Sequence, residues 1–200
     1  MYQRKDSYYR KAKAAGLRSR AAFKLEDVAA RLIRRGARVA DLGSWPGGWL
    51  QGASRMTGDE GIVVGADVRS VEPLGLRNVR FVTGDVRDPG TIAAIREALG
   101  GPADVVLSDM APRLTGVRAR DEAQAEEVSN AALAAARELL RPGGDFVCKT
   151  FMTGAYRPFL DEVRRSFAKV DATRPPSTRK GSAELYVVAR GFRPGTAPTL

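Results

Sequence analysis

Two residue types that build many enzyme active sites are absent or nearly absent from this chain. It contains no histidine, which excludes catalytic triads that depend on a histidine base. Its one cysteine, Cys148, excludes a disulfide within the chain and, with histidine absent, argues against a zinc site. We therefore expect no metal site. So little cysteine also indicates a reducing compartment, and we expect a cytoplasmic protein.

Long apolar runs are missing as well. No stretch of about 18 apolar residues occurs and no apolar signal peptide is visible, so we expect no membrane partner. With 44% hydrophobic and 28% charged residues among 200, the composition is typical of one folded domain. Because no excess of apolar residues is evident, we expect a monomer.

The positive charge is concentrated near the start of the sequence. The formal net charge is +10, and residues 1–38, with twelve Lys/Arg and three Asp/Glu, carry +9 of it. A nearly neutral domain with a basic N-terminal arm predicts a polyanionic partner, most often a nucleic acid. The alternatives are a solvated surface helix or an Arg-rich transit peptide. The transit peptide is disfavoured because "RSRAAFKLEDVAARL" reads as part of the fold.

Strand-like apolar runs alternate with helical segments along the sequence. The predicted strands are 37–43, 61–67, 79–85, 103–109 and 145–150, with a closing antiparallel pair at 169–175 and 184–190. The predicted helices are 19–34, 48–56, 89–99, 121–140 and 155–168. This alternation predicts an α/β fold with a mostly parallel, doubly wound, seven-stranded sheet and helices on both faces. We expect a basic arm at 1–18, one domain at 19–190 and a flexible tail at 191–200.

Four of the predicted strands end in an aspartate, namely Asp41, Asp67, Asp85 and Asp109. In an open α/β sheet, ligands bind beyond the carboxyl ends of the strands. A single aspartate in such a place usually caps a helix or a turn. Four of them at the same register indicate a ligand with several hydroxyl, amine or cationic groups.

The turn after the first predicted strand is rich in glycine and reads "DLGSWPGGWLQ", residues 41–51. Gly43, Gly47 and Gly48 allow a ligand to approach the backbone closely. The turn lacks G-x-G-x-x-G, so a nucleotide-binding turn of unusual spelling is the less favoured interpretation. A phosphate would also prefer basic or amide groups to these anionic strand ends. Asp67 follows at about the distance where an acidic residue binds ribose hydroxyls in Rossmann-like sites.

This turn resembles motif I of class I S-adenosylmethionine (AdoMet) methyltransferases, and more narrowly that of the FtsJ-like ribose 2′-O-methyltransferases. The segments "SRAAFKL", "DLGSWPGGW", "GDVRD", "SDMAP", "PGGDFVCK" and "ELYVVA" occur in the order of that family, and the resemblance spans about Ser7 to Arg190. It is strongest to bacterial members that methylate a uridine ribose of large-subunit rRNA. The resemblance implies a Rossmann-like class I methyltransferase fold, AdoMet as cofactor, and ribosomal RNA within the large ribosomal subunit as partner.

The resemblance also implies which residues bind the cofactor. They are Gly43, Gly47, Trp49, Asp67, Asp85 and Asp109. In the family pattern, Asp67 would hold the cofactor ribose and Asp85 would lie near the adenine amine. Asp109 would lie near the methionine amine and the methyl donor. Ser44 and Trp45 depart from the small residues that bacterial members more often have there.

The catalytic pattern of the family, Lys-Asp-Lys-Glu, corresponds here to Lys24, Asp109, Lys149 and Glu184. A ribose 2′-hydroxyl is a weak acid, so its attack on a methyl sulfonium needs in-line geometry and removal of the hydroxyl proton. Two roles for Lys149 stay open: a base that takes this proton, or a cation that orients the 2′-oxygen. Taken singly, Lys24 also fits a solvated charge, Asp109 a turn cap and Glu184 an edge-strand charge.

Basic residues are predicted to contact RNA phosphates without reading bases. They are Arg4, Lys5, Arg10, Lys11, Lys13, Arg18 and Arg20 in the arm, and Arg179 and Lys180 in the loop 174–180. The alternative functions are 2′-O-methylation of another RNA, or a non-catalytic RNA-binding factor of ribosome assembly that keeps the fold. A methyltransferase of base amino groups is disfavoured because "SDMAPR" lacks the aromatic residue of its motif.

Overall fold

The computed structural model describes residues 14, 16–19, 21–112, 115–176, 178 and 182–195. In this part of the chain, the strands are β1 (Arg38–Leu42), β2 (Ile62–Asp67), β3 (Val79–Thr83), β4 (Ala103–Ser108), β5 (Leu140–Phe151), β6 (Phe167–Thr173) and β7 (Glu184–Phe192). The helices are α1 (Ala21–Ala29), α2 (Gly48–Thr57), α3 (Pro89–Leu99), α4 (Arg118–Leu139) and α5 (Tyr156–Ser166). None of the helices described combines the length and the apolar character needed to cross a bilayer.

The strands form a single sheet in the order β3-β2-β1-β4-β5-β7-β6. Strands β1 to β5 pair in parallel, and β7 runs antiparallel to both β5 and β6. The predicted fold class and the predicted antiparallel closing pair are therefore confirmed. The strand order reverses between β1 and β4, so the carboxyl ends of these strands open a crevice at which ligands bind in such sheets.

Two apolar cores cover the two faces of the sheet, because consecutive side chains of a strand point to opposite faces. In β5, Phe146 and Cys148 belong to the core under α3, α4 and α5, whereas Val147 belongs to the core under α1 and α2. Burial raises the pKa of the Cys148 thiol to about 12, so this cysteine packs as a neutral group. Lys149 follows on the Val147 face, which points it toward α1.

Several element boundaries differ from the predicted ones. Helix α1 ends at Ala29 rather than near residue 34, and a turn then buries Leu32 and Ile33 against the sheet. Strand β5 begins directly after α4, but its register against β4 shifts where residues 141–144 interrupt the pairing. Strand β7 continues through Phe192, whose ring packs on Phe167 at a centroid distance of 5.5 Å. Two residues of the predicted tail thus belong to the sheet.

Candidate active site

A cavity of about 550 Å³ opens at the carboxyl ends of β1, β2, β3 and β4. Residues that end or follow these strands form one side of it, and Gln124, Glu127, Val128 and Ala131 of α4 form the other. Four residues predicted for the cofactor site line this cavity: Gly43, Asp67, Asp85 and Asp109. The crevice expected from the strand order is therefore present, and three aspartates that end or follow strands contribute to its lining.

Gly43 shapes the floor of the cavity. It has a φ of 75°, and its N–H donates to the carbonyl of Ala66 at 2.8 Å. A Cβ at this position would lie 2.5 Å from the side chain of Met110 and 3.0 Å from its backbone. Only glycine combines this left-handed conformation with such a close approach to the segment after β4.

The Asp67 carboxylate is held by the backbone on both sides. Its Oδ2 accepts the N–H of Trp45 at 3.0 Å, and its Oδ1 accepts the N–H of Arg69 at 2.9 Å. Each carboxylate oxygen has a second lone pair, so both remain able to accept hydrogen bonds from a ligand. Asp67 is thus an oriented acceptor at the cavity wall.

Asp85 is bound by Arg87, a residue that the sequence analysis did not single out. The guanidinium donates to both carboxylate oxygens, at 3.0 Å from Nε to Oδ1 and 2.6 Å from Nη2 to Oδ2. These hydrogen bonds lower the pKa of Asp85. Arg87 also pairs with Glu127 of α4. The ion pairs therefore bridge the loop after β3 to α4 across one end of the cavity.

Gly47 and Trp49 are not among the residues that line the cavity, and the predicted role of the Trp49 indole needs correction. Gly47 is the N-cap of α2 with a φ of 108°. Trp49 is 2% exposed, and its Nε1 donates to the carbonyl of Ala21 at 2.7 Å. Its ring packs on Tyr186 at a centroid distance of 5.9 Å. The indole therefore ties α1 and α2 to β7 and does not face the cavity.

Lys24, Asp109, Lys149 and Glu184 come together from four separate elements. The Lys149 Nζ lies 3.0 Å from Oδ1 of Asp109 and donates to the backbone carbonyl of the same residue at 2.6 Å. Lys24 forms an ion pair with Glu184. Both lysines are buried, with exposures of 7% and 8%. Asp109 belongs both to this cluster and to the cavity wall, so the cluster begins where the cavity ends.

Tyr186 joins the two ion pairs, and the sequence analysis missed it. Its hydroxyl oxygen lies 2.9 Å from Oδ1 of Asp109 and 3.1 Å from Oε1 of Glu184. Burial and the two carboxylates raise the pKa of the Tyr186 hydroxyl, which keeps it protonated as a donor. The sequence "ELY" contained a signal for this role. Residues two apart on a strand point to the same face, so Tyr186 lies on the same face as Glu184.

Glu184 stays charged within this buried cluster. Burial alone would raise its pKa, but the hydrogen bond from Lys24 and the charges of Lys24 and Lys149 outweigh burial and lower the pKa. The cluster accordingly combines two lysines, two carboxylates and one neutral hydroxyl. Such an arrangement holds an ammonium group at a fixed position beside the cavity.

Asp41 differs from the other three strand-end aspartates. Strand β1 continues to Leu42, and Asp41 pairs in register with Gly65 and Leu107, inside the sheet. The side chain is fully buried, and among the described residues neither carboxylate oxygen has a hydrogen-bond partner. Burial, and then the charges of Asp109 and Asp67, raise its pKa well above the ordinary value. The expectation of four aspartates at the same register is therefore wrong. Asp67 and Asp109 lie level with each other, Asp41 lies two residues earlier, and Asp85 lies two residues beyond Thr83, the partner of Asp67.

Arg18 was predicted to bind RNA, but its guanidinium is directed at the protein itself. It donates to the backbone carbonyls of Pro46, Glu72 and Pro73, at 3.3, 2.7 and 2.9 Å. Arg18 therefore links the turn after β1 to the segment after β2. The other residues predicted to contact RNA lie outside the described residues: Arg4, Lys5, Arg10, Lys11, Lys13, Arg20, Arg179 and Lys180.

Comparison with known proteins gives a consistent result. The family model of FtsJ-like methyltransferases matches residues 17–192. A ribosomal RNA large subunit methyltransferase E from Methanothrix thermoacetophila is 48% identical over 188 residues, which is 93% of this chain and 72% of the relative. The protein of the same name from Methanobrevibacter smithii is 36% identical and is matched over 93% of its length and 97% of this chain.

Solved structures share the fold at low sequence identity. A Plasmodium falciparum protein assigned as a ribosomal RNA methyltransferase superposes with a TM-score of 0.76 at 23% identity, over 88% of this chain and 98% of that one. The fibrillarin of Aeropyrum pernix, solved with S-adenosyl-L-methionine, gives a TM-score of 0.58 at 18% identity, over 84% of this chain and 73% of that one.

Proposed function

The chain belongs to the FtsJ-like methyltransferase family, and from this membership we propose that it methylates large-subunit ribosomal RNA with AdoMet as the methyl donor. We further propose that the methyl acceptor is the 2′-hydroxyl of a uridine ribose in 23S rRNA. The observation that carries the proposal is the position of Asp109. It lines the cavity and binds Lys149, so it joins a small-molecule site to a buried catalytic cluster.

The residues of the cavity fit AdoMet. This molecule offers ribose hydroxyls, an adenine amine, a methionine ammonium and a sulfonium, all of which are hydrogen-bond donors or positive charges. The carboxylates of Asp67, Asp85 and Asp109 are matching acceptors along the cavity. A volume of about 550 Å³ lies within the range of small-molecule sites. When bound, AdoMet supplies a methyl group that is already activated by its sulfonium.

Each carboxylate has a distinct task in this proposal. Asp67 accepts hydrogen bonds from the ribose hydroxyls, because its carboxylate is already oriented by two backbone N–H groups. Asp85 lies toward the adenine amine, with Arg87 fixing its carboxylate. Asp109 lies between the methionine end of the cavity and Lys149.

Lys149 is the residue proposed to touch the reacting ribose. Two contacts of its ammonium are to Asp109, one to the carboxylate and one to the backbone carbonyl. Asp109 takes two of the three outer positions on Nζ, so one position remains for the 2′-oxygen. In the ammonium form this position is an N–H that orients the oxygen, and the hydroxyl proton passes to water. In the neutral amine it is the lone pair that takes this proton. Tyr186, which also contacts Glu184, the partner of Lys24, donates to the same oxygen of Asp109 that Lys149 contacts. This support fixes the 2′-oxygen in line with the methyl group, and such positioning accelerates transfer.

The decisive test is transfer of labelled methyl groups from AdoMet to rRNA and to isolated ribosomal subunits. The modified nucleotide is then mapped by nuclease digestion and mass spectrometry. A methyl group on one ribose 2′-oxygen of large-subunit rRNA is the expected result. Label on a base, or on another class of RNA only, would overturn the assignment of the acceptor.

A further inference from the structure

One wall of the cavity is formed by two side chains that stack on each other, Trp45 and Arg69. The Arg69 guanidinium carbon lies 4.9 Å from the centroid of the indole ring, which is within the range of cation–π contacts. Both residues line the cavity, and Trp45 is 50% exposed. The indole ring therefore presents a large aromatic surface to the cavity. It packs against the Arg69 guanidinium rather than against the apolar core.

The same two residues hold the carboxylate of Asp67. The backbone N–H of Trp45 donates to one carboxylate oxygen, and the backbone N–H of Arg69 donates to the other. Trp45, Asp67 and Arg69 therefore form one structural unit. A ligand group bound to Asp67 lies next to the residues whose side chains stack.

We propose that the stacked Trp45–Arg69 pair is the outer wall of the AdoMet site and sets how tightly the ribose bound to Asp67 is held. This inference rests on AdoMet as the donor in the proposed function. A sugar ring presents C–H groups beside its hydroxyls, and an indole offers them a flat apolar surface. The indole also keeps water away from the hydroxyl–carboxylate hydrogen bonds, which strengthens them.

A ribose wall makes a specific prediction about ligands. AdoMet and its product S-adenosylhomocysteine (AdoHcy) share the same adenosine group and differ in the sulfonium charge. A wall against the ribose contributes equally to both affinities. An indole that instead faced the sulfonium would favour AdoMet alone, because cation–π attraction needs the positive charge.

Calorimetric titration of the protein with AdoMet and with AdoHcy, without RNA, tests the inference. Trp45→Ala is expected to weaken both ligands on the order of tenfold, and Arg69→Ala both about threefold. Trp45→Phe, which keeps an aromatic ring, is expected to stay within about threefold of the wild type. Two exposed controls outside the cavity, Val117→Ala and Arg55→Ala, are expected to bind as the wild type does.

The two tryptophans of the chain give a second readout. Trp49 is 2% exposed and lies outside the cavity, whereas Trp45 is half exposed at its wall. AdoHcy is expected to change the tryptophan emission of the wild type and to leave that of Trp45→Phe unchanged. An emission change that persists in Trp45→Phe would come from Trp49 and would overturn the inference.

The remaining outcomes are also decisive. If Trp45→Ala loses less than about threefold in affinity for both ligands, Trp45 is not a wall of the site. If it loses affinity for AdoMet alone, the indole faces the sulfonium instead of the ribose. An unchanged affinity in Arg69→Ala removes Arg69 from the wall. If the wild type itself bound neither ligand, the methyl donor of the proposed function would fail instead. The identity of the methylated nucleotide does not affect any of these results.

Discussion

The hydroxyl of Tyr186 lies 2.9 Å from a carboxylate oxygen of Asp109, and through this contact the cavity is joined to the buried lysine pairs. Asp109 faces the cavity, and Tyr186 also contacts Glu184, the partner of Lys24. One tyrosine proton serves two carboxylates, so it donates to one of them at a time. We therefore propose that Tyr186 is a positioning residue that orients the carboxylate of Asp109.

Tyr186→Phe is expected to lower both stability and turnover. The substitution keeps the ring that packs on Trp49 and removes only the hydroxyl. Loss of a buried donor beside two carboxylates should cost about 1–2 kcal/mol of the free energy of unfolding. Turnover should fall on the order of fivefold, because one hydrogen bond that orients Asp109 is lost. Chemical denaturation and methyl transfer at saturating AdoMet measure the two effects.

Tyr156→Phe is the matched control, since it removes a tyrosine hydroxyl at the start of α5. It is expected to retain the turnover of the wild type. A Tyr186→Phe enzyme with full turnover and reduced stability would restrict the tyrosine to a structural role. A fall in turnover without a change in the KM for AdoMet would support its role in orienting Asp109.

Substitution of Lys149 is expected to abolish transfer while AdoMet still binds. Lys149→Met keeps a long apolar stem in a site that is 8% exposed, so the fold should survive. The rate should fall at least about a hundredfold, as is common when a group that handles the substrate proton or oxygen is removed. Equilibrium binding of AdoMet and single-turnover methyl transfer measure the two properties separately.

Lys169→Met is the control for Lys149→Met, because Lys169 lies exposed on the edge strand β6. Near-normal turnover of Lys149→Met on its RNA would contradict the catalytic role. The pH dependence of the wild-type rate separates the two roles left open for this lysine. If the neutral amine of Lys149 must act as the base, the rate rises about tenfold for each unit by which the pH is raised. If Lys149 only orients the 2′-oxygen, the rate does not rise in this way.

The sequence predicted the residues whose positions follow from strand geometry. Asp67 ends β2 and Asp109 directly follows β4, so the rule for parallel sheets placed both at the cavity. The alternation along β5 placed Lys149 on the face opposite Cys148. The pairing of Lys24 with Glu184, 160 residues apart, followed only from the resemblance to a family.

Where the structure departs from the predictions, the physical causes cannot be read from a sequence pattern. The direction of the Trp49 indole depends on how α2 is rotated against α1 and β7, and this rotation is set by tertiary packing. Arg18 reads as one more cation of a basic arm, yet three backbone carbonyls occupy its guanidinium. Asp41 lies one residue before the end of β1, which is enough to turn its side chain into the core.

Arg18→Ala is expected to weaken AdoMet binding rather than only RNA binding. The guanidinium fixes the carbonyl of Pro46, next to Trp45, and the carbonyls of Glu72 and Pro73 after β2. Without it, both loops that hold Asp67 lose an anchor, and the affinity for AdoMet should fall on the order of fivefold. Calorimetry without RNA measures this change. Arg31→Ala, which removes an exposed arginine, is the control, and an unchanged affinity in Arg18→Ala would return Arg18 to the RNA-binding set.

Asp41→Asn is expected to change how stability depends on pH. The folded-state pKa of Asp41 is raised by burial and by two neighbouring carboxylates, so the folded protein retains a proton that the unfolded chain releases above about pH 4. The wild type should therefore lose stability, relative to Asp41→Asn, as the pH rises from about 4 toward the raised pKa, by up to about 1.4 kcal/mol per pH unit. Denaturation of both proteins between about pH 4 and 8 measures this difference. A difference that stays constant over this range would mean that Asp41 titrates in the folded protein as it does in the unfolded chain.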